Sequence, residues 1–183
     1  MVKLREQLRW YDNKPLFGKT IVVTRARSQA SALTKQLEAE GAKVIEAPSI
    51  KIVPPETYAP LDEAIKNIHT YKWLVLTSAN GVKAFFARLG HAGLDARALA
   101  GVKIAAIGCG TAKALQSCGV KADLVPCTYK AEELAEALAP QLEKGDKVLI
   151  PRAKEAREVL PETLRRLGAE ADVITAYETA AVC

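Results

Sequence analysis

Aromatic residues make up only 5% of the 183-residue chain, so any sheet it forms must be packed by Val, Ile, Leu and Ala. The sequence has no apolar run near the roughly 18 residues that a membrane-spanning helix needs, which argues against a membrane partner. Its start, MVKLREQLRWYDNK, is too polar for a secretory signal. Four cysteines, at positions 109, 118, 127 and 183, include no CxxC pair, and His69 and His91 lie apart from them. That spacing disfavours structural zinc, and unpaired thiols in a reducing cytoplasm are the simpler reading. With two histidines and no triad context, a nucleophilic role for Ser78 has no support. No paired-carboxylate motif stands out either. The net charge of +5 is concentrated at the start, where residues 1–19 carry +3, and no basic stripe is interleaved with aromatics. Nucleic acid is therefore not an expected partner.

What the chain does have is a repeat. Residues 18–45, GKTIVVTRARSQASALTKQLEAEGAKVI, align without a gap on residues 145–172, GDKVLIPRAKEAREVLPETLRRLGAEAD. The pairs Gly18/Gly145, Arg25/Arg152, Ala26/Ala153, Leu33/Leu160, Leu37/Leu164, Gly41/Gly168 and Ala42/Ala169 are identical. The apolar pattern also agrees: a β-rich run, an Arg-Ala step, an amphipathic helix, Gly-Ala, and a second strand. Two copies of one supersecondary unit are expected. A different block, residues 72–142, lies between them, so the order is A, B, A′ without a second B.

Residues 1–17 read as a tail or linker closed by Lys14-Pro15. Strands are expected at 20–24, 43–48 and 49–53, with a helix over about 28–40 capped by Gly41. Beyond a hinge at Pro54-Pro55 and a helix at 59–69, buried strands alternate with helices. KWLVLT, KIAAIG, ADLVP, KVLIP and DVITAYET supply five strands, and the last helix is expected over 155–167. This pattern predicts an α/β fold: a five-stranded parallel, flavodoxin-like domain covered on both faces, plus an incomplete second α/β domain.

In such a sheet the ligand site lies beyond the carboxyl ends of the strands. Small polar residues recur there: Thr77-Ser78-Ala79-Asn80-Gly81, Gly108-Cys109-Gly110-Thr111, Tyr129-Lys130, Thr24-Arg25 and Arg152. Helix N-termini present backbone N–H groups and partial positive charge, so each can hold a carboxylate or phosphate. Ser78 and Thr111 are open to two readings, ligand contact or plain N-cap. Gly108 and Gly110 begin a dinucleotide-like loop, but Lys113 stands where its third glycine would be. Arg25 and Arg152 are candidates for anion binding because they recur in both copies.

The segments VVTRAR, WLVLTSANGVKAFF, KIAAIGCGTAKAL, ADLVPCTYKAEELAEAL and VLIPRAKEAREVLPETLRRLGAEADVITAYET, in this order, resemble the uroporphyrinogen-III synthase family over residues 18–180. The leader LREQLRWYDNKPLFGK resembles the linker found where this synthase is fused behind a uroporphyrinogen-III C-methyltransferase. The resemblance implies two α/β domains joined by a two-stranded ladder, one of them discontinuous. On that template residues 18–50 open domain 1, whose remainder is missing, residues 55–175 form a complete domain 2, and residues 50–53 and 176–180 link them. One β-α-β piece is too small to bury its own core. Residues 18–50 are thus expected to dock on a symmetry mate, swap between chains in a dimer, or stay loosely ordered.

The resemblance further implies a cytoplasmic lyase of tetrapyrrole biosynthesis, on the route to heme, siroheme and cobalamin, that needs no cofactor and no metal. Its substrate is hydroxymethylbilane, a linear octacarboxylate, which loses its terminal hydroxyl and closes with inversion of the last pyrrole. Tyr177 matches the family's cleft tyrosine and is the candidate to assist that departure. Thr77 and Ser78 match the TS step facing the cleft, Thr111 matches the threonine of the GxxTA turn, and Gly110 beside it is a further substrate-binding candidate. Cys109 stands where many members have proline. The missing half implies a fragment with little or no activity. Two other readings stay open on the residues alone, a non-catalytic flavodoxin-like module for anionic ligands and a nucleotide-binding α/β enzyme.

Overall fold

The structure is a computed structural model that describes residues 10–25, 27–126, 128 and 130–182, with backbone alone over 27–31. Nine residues of the leader and Tyr129 lie outside the described residues. The chain divides into two compact units, residues 54–178 and residues 1–53 with 179–183.

The larger unit starts with helix α2 (Ala59–Lys66), a short 3-10 turn (Ile68–Thr70) and strand β4 (Trp73–Leu76). Helix α3 (Ala79–His91) and strand β5 (Lys103–Ala106) follow, then α4 (Cys109–Ser117), α5 (Ala131–Leu138), β6 (Lys147–Ala153), α6 (Val159–Arg166) and β7 (Glu170–Ala181). β4 pairs in parallel with β5 on one edge and with β6 on the other, and β6 pairs in parallel with β7. Leu124 adds one parallel bridge to Ala105. The spatial order is β7-β6-β4-β5-Leu124; counted from β6 it reads 2-1-3-4-5, the flavodoxin order entered at its third strand.

β4 is fully buried along its length, as expected for a parallel strand covered on both faces. Alternation sends Trp73 and Val75 to the face that carries Leu134, Leu138, Leu160 and Leu164 of α5 and α6. On the opposite face α3 comes so close that a Cβ on Gly81 would lie 3.1 Å from the Pro151 carbonyl oxygen. A side chain there would require helix and strand to give by a few tenths of an ångström. Between α2 and α3, the Asp62 carboxylate accepts two hydrogen bonds from the Arg88 guanidinium, at 2.8 and 2.6 Å. The guanidinium also lies 4.5 Å from the centre of the Tyr58 ring.

Three expectations need correction. The strand expected over 122–126 is reduced to the Leu124 bridge, because the Asp123 carboxylate takes the Ile104 N–H at 2.7 Å and Pro126 has no N–H to extend a ladder. The last helix begins at Val159, not 155, and residues 154–158 form a loop. Nor is the five-membered sheet wholly parallel. β7 runs on to Ala181, where strand β3 (Ile50–Val53) joins it in the smaller unit. The Val182 N–H donates to the Ser49 carbonyl, linking the end of β7 to the start of β3, so this pair is antiparallel and the sheet mixed.

The smaller unit also holds β1 (Thr20–Val23), α1 (Arg27–Ala39) and β2 (Lys43–Glu46), with β1 and β2 parallel. Its register repeats that of the larger unit: Thr20 faces Lys43, and 127 positions on, Lys147 faces Glu170. Both helices end alike. Gly41 and Gly168 adopt φ of +92° and +93°, and Ala42 and Ala169 donate back to the Leu37 and Leu164 carbonyls, closing a left-handed cap that glycine tolerates best. Burial separates the copies. Val22 is 57% exposed and Leu33 36%, whereas their counterparts Leu149 and Leu160 are 0% and 2% exposed. Among the described residues, β1 pairs with β2 alone, while β6 has a neighbour on each edge.

Two measurements check these relations. Leu160→Ala is expected to cost about 2–5 kcal/mol in denaturant unfolding, and its repeat counterpart Leu33→Ala no more than about 0.5 kcal/mol. The Arg88 hydrogen bond holds the Asp62 pKa below its ordinary 3.8. The ionised carboxylate thus adds stability above that value, and the gain is lost as pH falls through the lowered folded value. Asp62→Asn should therefore lower the melting temperature at neutral pH, with the difference from the parent closing in acid below the ordinary carboxylate range.

Candidate functional site

All strands of the parallel set point their carboxyl ends the same way, and the described sequence-predicted residues of the larger unit fall at that end. Thr77 and Ser78 follow β4. Ser78 has extended backbone (φ −159°, ψ 154°), and its Oγ accepts the Gly81 N–H at 3.0 Å, so it is the N-cap of α3. The same Oγ lies 3.0 Å from the Tyr177 hydroxyl. Tyr177 arrives there by a bulge. Arg152 faces Thr175 in the β6–β7 ladder, yet the next residue, Ala153, faces Tyr177, and Ala176 is the extra residue. The Lys154 N–H then donates to the Tyr177 carbonyl at 3.1 Å, holding the strand after the bulge. Tyr177 is 9% exposed, a hydroxyl at the edge of a packed core.

Thr111 is not an N-cap. That position of α4 is Gly108, which has no side chain to cap the helix, and Thr111 is the third helical residue and buried. Gly110 is exposed, with open space where a Cβ would be, so no close approach requires glycine there. Arg25 follows β1 in the smaller unit and is exposed. Tyr129 cannot be assigned a position, since it lies outside the described residues.

Beside β6 a cavity of about 260 Å³ is lined by Thr77, Ile107, Lys130, Arg152, Arg157 and Leu160, among others. Arg152 is 6% exposed, unlike its repeat counterpart Arg25. Its guanidinium donates to the Arg157 carbonyl at 2.7 Å and to the Glu158 carboxylate. Burial, and then the nearby charge of Arg165, push the Arg152 pKa down, but a guanidinium keeps its proton at neutral pH. The sequence alone did not single out Arg157 or Glu158. Both fall in a stretch that reads as helix, and the only signal was the dense charge of KEARE. His69 and His91 are exposed, and among the described residues no cluster of three His, Cys, Asp or Glu could hold a metal ion.

Fold and site define a class: an α/β protein built on repeated β-α-β units, with hydroxyl and cationic side chains gathered beyond the strand carboxyl ends. Within that class the chain belongs to the uroporphyrinogen-III synthase family, whose model, described as "Uroporphyrinogen-III synthase HemD", matches residues 31–182. It is 38% identical over 176 residues to the "Porphyrin biosynthesis protein HemD" of Ruminiclostridium josui, covering 96% of this chain and 35% of that protein. It is 42% identical over 167 residues to the "Uroporphyrinogen-III synthase" of Synechococcus elongatus, covering 91% and 62% respectively. The crystal structure of a mutant uroporphyrinogen III synthase from the extremely thermophilic bacterium Thermus thermophilus shares the fold, with a TM-score of 0.64 at 17% identity over 90% of this chain and 64% of that one. The chain spans about a third of the first relative and under two thirds of the second. Family membership does not favour the non-catalytic module or the nucleotide-loop enzyme.

The cap at Ser78 can be tested apart from any activity. Ser78→Ala should cost about 1 kcal/mol in denaturant unfolding, and Ser78→Asp, which keeps an acceptor for the Gly81 N–H, should restore most of it.

Proposed function

We propose that this chain forms part of a uroporphyrinogen-III synthase, cyclising hydroxymethylbilane to uroporphyrinogen III. The pairing of the Tyr177 hydroxyl with the N-cap hydroxyl of Ser78 at 3.0 Å carries the reading. Loss of the terminal hydroxyl from the linear substrate needs a proton at the departing oxygen. A phenol held at the rim of a dry core can supply it as the C–O bond breaks, and the terminal pyrrole N–H gives up its proton in turn, leaving water, an electrophilic azafulvene and a phenol ready to be restored. The last pyrrole then attacks the azafulvene through its substituted carbon, the older methylene bond to that carbon breaks, and the freed methylene rejoins the inverted ring at its open α-carbon, which loses a proton as the macrocycle closes. Positioning governs this outcome, because uncontrolled closure competes with it. Thr77, Thr111 and Gly110 offer hydroxyl and backbone groups beyond β4 and β5 for the substrate's arms. Arg152, Arg25 and Tyr129 complete the candidate set, the two arginines as partners for carboxylates.

The reading extends to the rest of the protein. The leader's resemblance to a fusion linker supports a methyltransferase upstream, which would place the protein on the siroheme and cobalamin branch in the cytoplasm. Exposed Val22, Leu33 and Ile45 support residues 18–50 as the opening of a domain completed from elsewhere, including by exchange between chains. Among the described residues no helix is long and apolar enough to cross a membrane.

The test uses the protein encoded by the full reading frame, with hydroxymethylbilane as substrate and the uroporphyrinogen isomers separated by chromatography. Tyr177→Phe is expected to lower kcat by about 10²-fold or more with little change in KM. An unchanged kcat would remove Tyr177 from the mechanism. The 183-residue chain alone is expected to turn over little or none.

A further inference from the structure

Arg152 poses an electrostatic problem whose solution has two replaceable parts. A guanidinium that is 6% exposed must be paired, because a buried lone charge costs several kcal/mol. One partner, the Arg157 carbonyl, is backbone. The other, the Glu158 carboxylate, belongs to a side chain that is 52% exposed and sits at the start of α6 in N-cap position without capping that helix. Glu158 can therefore rotate into solvent while the buried guanidinium stays. The cavity beside it is the right shape for a substitute. Ile107, Ile150 and Leu160 form apolar wall, Lys130 and Arg157 add positive charge, and Glu132 is the one acid among its lining residues. Lys130 is also the N-cap residue of α5 and gives no side-chain cap, so the first turn of that helix opens on the cavity. A volume of about 260 Å³ admits a few methylenes and a carboxylate, and far less than a whole macrocycle.

We propose that this cavity is a subsite for one short aliphatic carboxylate arm, and that Glu158 holds the carboxylate position on Arg152 until the arm displaces it. The arm's methylenes lie against Ile107, Ile150 and Leu160, and its carboxylate takes the Arg152 fork with Lys130 and Arg157 nearby. That the arm belongs to a polycarboxylic tetrapyrrole precursor rests on the function proposed above; the subsite itself does not. Glu158 is then a specificity device. It keeps Arg152 neutralised against small inorganic anions, which gain no apolar contact, and yields to a ligand that brings methylenes with its charge.

The experiment titrates propionate into the 183-residue chain and follows backbone amide NMR shifts. Saturable shifts at Ala131, Glu132 and Arg157 are expected in the parent. Glu158→Gln, which removes the tethered competitor, should tighten propionate about five- to tenfold. Arg152→Met should abolish binding; because Arg152 is buried, Lys130→Met at an exposed position is the second variant, and it should weaken binding several-fold with the fold intact. The proposal is overturned if Glu158→Gln binds propionate no better than the parent, if Lys130→Met leaves the affinity unchanged, or if the shifts fall elsewhere. Propionate carries no pyrrole, so failure here leaves the Tyr177 reading standing. Conversely, an inactive full-length protein that still binds propionate sinks the synthase reading alone.

Discussion

β6 has no surface to spare. It is buried along Val148–Arg152 and hydrogen-bonded in parallel to β4 on one edge and β7 on the other. Buried backbone N–H and C=O groups must be paired, so both neighbours are obligatory. That constraint orients everything near the candidate site. β4 delivers Thr77 and Ser78, β6 delivers Arg152, and β7 delivers Tyr177, all toward the same end because parallel strands share one direction.

Within that frame, small irregularities tune positions. The bulge at Ala176 moves Tyr177 one residue along the ladder, level with Ala153, and the hydroxyl of Ser78 meets it. Gly81 allows α3 to lie close on the sheet, so the cap at Ser78 sits over the strand ends and not out in solvent. The loop at 154–158 turns back on Arg152 and supplies both of its partners. Each feature departs from regular structure by one or a few residues. None alters the strand order.

The two β-α-β copies show how far one pattern reaches. They share register, helix caps and glycine conformations, since these depend on residues within the copy. They differ in burial, since that depends on what covers each copy from outside it, as Leu134 and Leu138 of α5 cover Leu160. β4 stands beside β6, and Leu149 and Leu160 are buried; Val22 and Leu33 remain open. The same contrast separates the arginines. Arg25 and Arg152 occupy one repeat position, yet only Arg152 is enclosed.

The sequence by itself determined the local units: where strands alternate with helices, which glycines end helices, the repeat and its register, and the run of small polar residues at the strand ends. These follow from spacings of a few residues, whereas Ser78 was open to two readings until the Gly81 N–H was found on its Oγ. Tertiary structure decided the rest. It reduced the 122–126 strand to one bridge, because the Asp123 carboxylate captured a ladder N–H from β5. It set β3 antiparallel, brought Ser78 and Tyr177 together across 99 residues of chain, and closed Glu158 on Arg152. Such contacts depend on the dielectric, packing and exposure that distant segments create, and no window of sequence contains them.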